Sequence, residues 1–525
     1  MPFTSSYPPI GGRGASLHQL IAGAAAGRAE RPALVNSSTG EVVSYGLLAA
    51  RIGQVAAGLA SRGFGPGDVL ALWAPNLPQW AGIALGAMAA GGTVAPVDTS
   101  CTEPELTGRL TGSGASILVT IPSMAPTALA AAGAAGVAEV VTIGQADGAT
   151  PIGALLVERA LESGARPAAP VDPSTVALLP CSSGTTGLPK GVMLTHANLV
   201  AGTLQLNTGF GATDHDTLLA VPPFFHIMGF AIHLGVALSV GATVVTMARF
   251  EPERFLALVE RHRVTALAVP PPIMRLLATH PMVDAHDLSS LRIVVCGGAP
   301  LSAELHRAVA ARLRHTVVGT GWGLTETTCA ATVPDRDDGT VPGSVGRLAP
   351  SGELRVVDPA TGADLGEGQP GELWFRGPNV MAGYRDAAGA TAEILDADGW
   401  LRTGDLGTVD ADGNVCILGR LKELIKVNAR QVAPAELEAV LAAHPAVAYA
   451  AVIGRADPEH GEVPVAVVVP RGEVDGDQLM GWVAERVAPY KRLRAIRFVE
   501  AIPRTPSGKI LRHVLIEGDR RAEAV

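Results

Sequence analysis

Apolar and polar positions along the first four-fifths of this chain switch repeatedly between short unbroken apolar runs and longer runs with a helical period. The short runs predict buried strands at Val69–Trp73, Thr93–Val97, Val176–Leu179, Leu218–Val221, Ala242–Met247, Thr265–Val269, Arg292–Val295 and Thr316–Val318. The longer runs predict helices at Gln79–Ala90, His196–Leu206, Ile227–Val240, Glu251–Arg261 and Ser302–Leu313. Pro252 falls in a first helical turn, where a missing N–H costs little. Repeated strand–helix–strand units call for mostly parallel sheets covered on both faces.

From Gly352 the texture changes. Glycine-rich turns separate short alternating segments at Glu353–Val357, Gly371–Phe375 and Val415–Leu418, the signature of antiparallel hairpins. After Arg420 the pattern predicts a helix at Pro434–Ala443, strands at Ala448–Ile453 and Val463–Val469, and a helix at Asp477–Val487. The expected fold class is α/β. A large N-terminal domain of parallel sheets with helices and a small β-barrel-like part precedes a smaller α+β C-terminal domain. The boundary is expected near Gly419–Lys422, giving units 1–419 and 420–525.

Length changes this picture little: 525 residues suffice for roughly three folding units. The stretches Val69–Val97 and Thr217–Ala248 lack formal charge, but prolines, Asn76, His226 and His233 interrupt them. A spanning helix wants about 20 consecutive apolar residues, so both read as strand, turn, buried helix, strand. The run 125–136, rich in Ala and Gly, approaches low complexity. A net charge of −9 argues against a nucleic-acid face or an anionic membrane partner. The five cysteines, Cys101, Cys181, Cys296, Cys329 and Cys416, contain no CxxC pair; they fit a reducing cytoplasm and give no zinc signal. The N-terminal residues show no apolar signal-peptide core, so a cytoplasmic location is expected.

The strongest chemical signal is Ser182-Ser183-Gly184-Thr185-Thr186-Gly187-Leu188-Pro189-Lys190-Gly191, between a predicted strand and a predicted helix. Glycines let backbone N–H groups approach a polyphosphate, hydroxyls donate to its oxygens, and Lys190 supplies charge. It is not a Walker A loop, because Pro189 and Gly191 stand where that loop needs Gly and Ser or Thr. Gly321-Trp322-Gly323-Leu324-Thr325-Glu326 follows another strand. Trp322 offers a flat face suited to adenine, Thr325 a hydroxyl, and Glu326 a hard oxygen ligand for Mg2+. Taken singly these are weak. A Trp between glycines ordinarily packs, Asp405 reads as a turn-former, and Arg420 reads as solvated.

Their combination and order are what carry meaning. With Pro-Pro-Phe-Phe-His (222–226), Gly-Trp-Leu-Arg-Thr-Gly-Asp (399–405), Gly-Arg-Leu-Lys-Glu-Leu-Ile-Lys (419–426), Gln-Val-Ala-Pro-Ala-Glu-Leu-Glu (431–438) and Pro-Ser-Gly-Lys-Ile-Leu-Arg (506–512), the chain resembles the acyl-adenylate-forming superfamily of acyl-CoA synthetases, luciferases and peptide-synthetase adenylation domains. The 4-coumarate–CoA ligase branch is the most similar, from about residue 30 to Arg512. The resemblance implies ATP and Mg2+ as cofactors, with CoA as a possible acceptor, and a mobile C-terminal lid. It makes Ser182, Ser183, Gly184, Thr185, Thr186 and Lys190 the phosphate loop, Trp322 the adenine platform, and Thr325 an α-phosphate contact. Glu326 becomes the Mg2+ ligand, Asp405 and Arg420 ribose ligands, and Lys422 the hinge. Lys509 would be the adenylating lysine, Lys426 and Gln431 further catalytic positions, and His226 the aryl-pocket histidine. Met228, Gly298, Ala299, Gly321, Cys329 and Ala330 would line the acid pocket, with Cys296 and Cys329 as packing residues rather than nucleophiles.

The branch usually reads Lys-Tyr-Lys-Gly-Phe-Gln where this chain has Lys426-Val427-Asn428-Ala429-Arg430-Gln431. The added Cβ at Ala429 restricts positive φ in a loop expected beside the CoA arm. A phenol-facing Tyr is replaced by Met228, and a Pro-Val by Cys329-Ala330. The leading expectation is an aromatic or arylpropenoic acid–CoA ligase. The second keeps the adenylating machinery with another acceptor. That acceptor is a carrier protein, or nitrite with an amino-aryl acid, as in ATP-dependent diazotases of bacterial secondary metabolism. A third, a non-catalytic nucleotide-binding relative, conflicts with retention of Lys190, Glu326 and Lys509.

Overall fold

The structure, a computed structural model, describes residues 2–11, 14–156, 171–182, 190–428, 430–505 and 509–523. Ser183, Gly184, Thr185, Thr186 and Ala429 lie outside the described residues. Two large sheets dominate the N-terminal domain. In the first, Val176–Leu178, Thr93–Pro96, Val69–Leu72, Ala115–Thr120, Glu139–Thr142 and Thr150–Pro151 run parallel, and Cys181–Ser182, Lys190–Thr195 and Gly383–Tyr384 add an antiparallel edge. The second orders Val317–Thr320, Ile293–Cys296, Ala266–Val269, Thr217–Ala220, Thr243–Thr246 and Pro32–Asn36 in parallel, then Val42–Ser44 antiparallel.

The unbroken apolar runs are explained by cover on both faces. Val69, Leu70, Ala71 and Leu72 are all completely buried. One core joins the two sheets and includes Leu70, Val94 and Ile117 from the first and Leu34, Leu218 and Ile293 from the second. The helix Pro78–Ala89 is buried on every side, as expected for a helix without a polar face. Its Trp80 meets Phe224 and Phe230 edge-on, at 5.9 and 6.0 Å. Among the described residues no helix is long and apolar enough to cross a membrane. The low-complexity run is a helix, Ala125–Ala135, ended by Gly136 at φ +73°. The helix expected over Ile227–Val240 is α-helical at both ends and π-helical over Phe230–Ala237.

The glycine-rich region forms an antiparallel sheet of Phe3–Thr4, Glu353–Val357, Asp364–Leu365, Gly371–Arg376, Leu401–Val409 and Val415–Arg420. A separate sheet follows in the C-terminal domain: Arg430–Val432, Ile425–Val427, Gly461–Pro470 and Val447–Asp457 antiparallel, with Ala495–Phe498 parallel to Gly461–Pro470. Its core is distinct and includes Ile425, Leu437, Val452 and Leu479.

Three histidines lie in the N-terminal core. His18 and His196 meet edge-on with ring centroids 5.6 Å apart, and His233 bridges the carbonyls of Gly229 and Leu219. Burial lowers all three to about 4, and the neighbouring His18 adds to the effect on His196. Between about pH 6.5 and 4 the unfolded chain binds protons that the folded chain refuses, so stability is intact above that window and falls as pH drops through it. Each ring accounts for about 3 kcal/mol at the acid limit. The melting temperature, scanned from pH 7.5 to 4.5, is expected to hold to about pH 6.5 and then drop steeply. His196→Gln is expected to lower the plateau and flatten the slope.

Candidate active site

The site lies where parallel strands of both sheets end. Val97 and Asp98 follow Thr93–Pro96, Pro223 follows Thr217–Ala220, Gly297 and Gly298 follow Ile293–Cys296, and Gly321 follows Val317–Thr320. All line a single cavity of about 680 Å3. Ligands bind at carboxyl ends of parallel strands because the chain there leaves its hydrogen-bonded ladder and turns outward.

The cavity lining divides by chemistry. The polar part holds Ser182, Lys190, Thr325, Glu326, Arg420, Lys422 and Lys509. Ser182 and Lys190 are register partners across an antiparallel bridge and so frame the glycine-rich loop between them. Thr325 and Glu326 occupy a short 3-10 turn that folds back so tightly that a Cβ on Gly323 would lie 2.0 Å from the Cys329 carbonyl oxygen. Asp405 and Arg420 are also register partners, and Arg420 Nε reaches Asp405 Oδ1 at 2.8 Å. The indole Nε1–H of Trp322 donates to the other oxygen at 2.9 Å. Burial pushes the Asp405 carboxyl up, and Arg420 and the indole N–H oppose that. Trp322 is 8% exposed and packs with Leu348, Leu354 and Phe375. It stands between Gly321 and Gly323, which line the cavity while it does not.

Lys509 arrives from the C-terminal domain. Burial first, then the Arg420 guanidinium, depress its ammonium, while Glu423, Asp405 and Glu326 oppose the shift. Arg512 anchors its segment: Nε meets Glu423 Oε2 at 3.0 Å and Nη1 meets Glu438 Oε1 at 2.6 Å. Sequence reading missed Arg512 in this role because nothing in the motif says which carboxylates face it.

The apolar part holds Leu206, Phe210, Met228, Ile232, Ala268, Val295, Cys296, Cys329 and Val333. Gly297 leaves room for Met228, whose sulfur would lie 3.1 Å from an added Cβ. Ala330 is fully buried and, like Ala299, does not line the cavity. Thr328 and Cys329 take φ of +48° and +79°, a left-handed pair that costs non-glycine residues strain. The fully buried Asn379 holds that turn: its Nδ2 donates to the carbonyls of Thr327 and Ala330, and its own carbonyl accepts from Thr328 Oγ1 at 2.7 Å. Burial pushes the Cys329 thiol up to about 12, so it is a neutral packing group. His226 Nδ1 accepts from the Met228 N–H at 3.3 Å, which leaves the ring proton on Nε2. Burial lowers the His226 pKa and Asp98 opposes the shift, so the ring is neutral at pH 7.

Lys426 and Gln431 are register partners in the hairpin Ile425–Val427/Arg430–Val432, and Lys426 does not line the cavity. Lys426 is exposed. Among the described residues of the hairpin, Asn428 takes a positive φ of +47°, a region that asparagine tolerates better than most residues.

Glu326 fits the Mg2+ role that the resemblance implies. Tyr384 OH donates to its Oε1 at 2.7 Å, and among the described residues Oε2 accepts no hydrogen bond. No group of three or more potential ligands occurs among the described residues. Mg2+ suits such a site, since it takes one or two carboxylates plus substrate phosphates and waters.

Trp322→Phe keeps an aromatic ring and removes the donor to Asp405. A hydrogen bond to a charged acceptor contributes about 1.5–3 kcal/mol, so ATP binding is expected to weaken about tenfold. The acid limb of binding is expected to move to higher pH, because a group holding Asp405 ionised is gone. Calorimetric titration with ATP from pH 5 to 8 checks both.

Comparison with known proteins agrees with this geometry. Residues 21–385 match the family model of the AMP-binding enzyme, and residues 436–509 that of the AMP-binding enzyme C-terminal domain. A 4-coumarate–CoA ligase 5 from Oryza sativa subsp. japonica is 41% identical over 508 residues, covering 94% of this chain and 93% of its own. The amide bond synthetase McbA from Marinactinospora thermotolerans superposes with a TM-score of 0.87 at 29% identity, covering 96% of this chain and 99% of its own. The anthranilate CoA ligase AuaEII, in complex with anthranoyl-AMP, superposes with a TM-score of 0.88 at 26% identity, covering 97% and 98%. The chain belongs to the AMP-binding enzyme family, the adenylate-forming superfamily of ATP-dependent, AMP-forming ligases.

Proposed function

We propose that this enzyme adenylates an aromatic or arylpropenoic acid with ATP and then transfers the acyl group to CoA. The observation that carries the reading is one cavity in which Lys190, Glu326, Arg420 and Lys509 share walls with an apolar pocket lined by Met228, Ile232, Val295 and Cys329 beside a neutral His226. An uncharged aryl tail fits that pocket, and its carboxylate would meet the cations. Residues 1–419 and 420–525 act as two units hinged at Lys422, in a cytoplasmic enzyme.

In the first step a carboxylate oxygen bonds to the α-phosphorus and the bond to pyrophosphate breaks. An anion attacks a polyanion, so catalysis is positioning and charge neutralisation. Lys509 stabilises charge on the α-phosphate, the loop around Lys190 holds the outgoing phosphates, and Asp405 with Arg420 fixes the ribose. Glu326 would hold Mg2+, which would supply neutralisation of phosphate charge. His226 and Met228 orient the aryl ring. In the second step the CoA sulfur bonds to the acyl carbon, the thiol proton is released and AMP leaves. Lys426, which does not line the cavity, and Gln431 are assigned to this step, after rotation about Lys422.

The hairpin tip Asn428-Ala429 favours a second reading, in which adenylation is unchanged and the acceptor is a carrier thiol, or nitrite with an amino-aryl acid. The likeness to a protein named as an amide bond synthetase lends support to this reading. AMP release across a panel of aryl and amino-aryl acids, with CoA, carrier protein or nitrite present or omitted, separates the readings. CoA-dependent thioester confirms the first. AMP formed only with nitrite and an amino-aryl acid replaces it with the second.

Two variants sharpen the test. Lys509→Ala is expected to lower acid-dependent pyrophosphate exchange by at least about a hundredfold with the melting temperature unchanged, the scale of losing one preorganised charge. Near-normal exchange removes Lys509 from adenylation. Asn428→Lys with Ala429→Gly is expected to raise thioester yield if CoA is a poor natural acceptor, and to leave it unchanged if CoA is the natural one.

A further inference from the structure

Tyr384 has no role in the motifs that identify the site, yet two parts of the polar wall converge on it. Its hydroxyl donates to Glu326 Oε1 at 2.7 Å. The Lys190 ammonium lies 5.1 Å from its ring centroid. Ser182, at the other end of the glycine-rich run, lines the same cavity as Tyr384.

The backbone around Tyr384 is fastened to the same two segments. Gly383 and Tyr384 pair antiparallel with Met193 and Val192, on the strand that Lys190 begins. The Arg385 N–H donates to Gly191 O and the Ala382 N–H to Met193 O, both at 2.9 Å. From the residue just before Ala382, the Met381 N–H donates to the backbone oxygen of Glu326 at 2.9 Å. Residues 381–385 therefore staple the turn bearing Glu326 to the strand bearing Lys190, and Tyr384 adds the side-chain link.

We propose that Tyr384 is a positioning residue that orients Glu326 for Mg2+ and fixes it in register with the phosphate loop. Resting on the reading of Glu326 as the metal ligand, it acts through one oxygen. A donor held on Oε1 stops the carboxylate turning and leaves Oε2 to face the metal. Groups that orient a metal ligand in this way commonly change metal affinity or activity by about 10–100-fold when removed. The Lys190 ammonium over the ring places the second phosphate-facing cation in the same frame. Metal ion and lysine thus meet one polyphosphate at a fixed spacing rather than as two independent charges.

The test separates hydroxyl from ring. Tyr384→Phe keeps the ring under Lys190 and removes only the donor. Tyr384→Leu removes both. Glu326→Gln reports the metal ligand itself. For each full-length protein, ATP affinity is measured by calorimetry in excess EDTA and across a Mg2+ titration, with the melting temperature as a check on folding. Tyr384→Phe is expected to need about tenfold more Mg2+ for half-maximal enhancement of ATP binding, with affinity in EDTA unchanged. Tyr384→Leu is expected to lose affinity in EDTA as well, because Lys190 loses its platform. A wild-type Mg2+ requirement in Tyr384→Phe, alongside a raised one in Glu326→Gln, overturns the proposal while leaving the metal role of Glu326 standing. An unchanged requirement in Glu326→Gln overturns both. A uniform loss of affinity in Tyr384→Phe, equal with and without Mg2+, also overturns it, since that is the effect of a merely structural side chain.

Discussion

Asp405 is a carboxylate 4% exposed to solvent, and the active site is organised around keeping it ionised. A buried carboxylate is stable as an anion only when donors replace the water it has lost. Arg420 supplies one from the next strand, and Trp322 supplies the other from the loop after Val317–Thr320. That pairing fixes more than a carboxylate. Arg420 is the last residue of the antiparallel sheet before the chain enters the C-terminal domain. Three residues on, Glu423 takes Arg512, and Arg512 lies three residues beyond Lys509. Two short ion pairs, each in a partly dry setting, therefore connect the nucleotide-facing wall to the lysine that closes it.

Much of the fold was legible because burial on both faces leaves a plain mark. Strands such as Val69–Leu72 and Ala266–Val269 are fully apolar since no position faces water, and their lengths exclude a helix. What sequence left unread was local. The π-helical stretch Phe230–Ala237 has the same apolar period as an α-helix over so few residues, so periodicity cannot signal it. The helix Ala125–Ala135 reads as low complexity because alanine carries no strong apolar or polar contrast, though its helix propensity is the highest.

The site divides in the same way. Ser182, Lys190, Glu326, Asp405, Arg420 and Lys509 could be named from order and spacing, because each sits in a short motif where chemistry restricts the residue type. Tyr384, Asn379 and Arg512 could not, because each acts through partners 52 to 89 residues distant or held in another sheet. Trp322 shows a middle case. The sequence gives an aromatic ring, but only the fold shows its N–H committed to Asp405. At the hairpin tip, attention to Ala429 was reasonable from the lost glycine, yet the described left-handed residue is Asn428.

The proposed two-step reaction in one cavity would need a C-terminal domain held firmly enough to place Lys509 and loosely enough to release it. Contacts across the domain junction have that character. Tyr449 of the C-terminal sheet faces Arg275 of the helix Pro271–Thr279 at 5.1 Å and Arg504 at 5.4 Å. Two like charges flanking one ring repel each other, and burial with that repulsion depresses the Arg275 guanidinium. An exposed cation–π contact contributes about 0.5–1 kcal/mol, far less than the burial of a large apolar side chain. Many apolar residues of the C-terminal domain are instead gathered into its own core, around Leu437, Val452 and Leu479. Interfaces of this polar, adjustable kind make relative domain motion the default expectation. The strong bonds lie within each body, Asp405 to Arg420 on one side and Glu438 to Arg512 on the other, so rotation about the residues between them would carry Lys509 out of the cavity without breaking either.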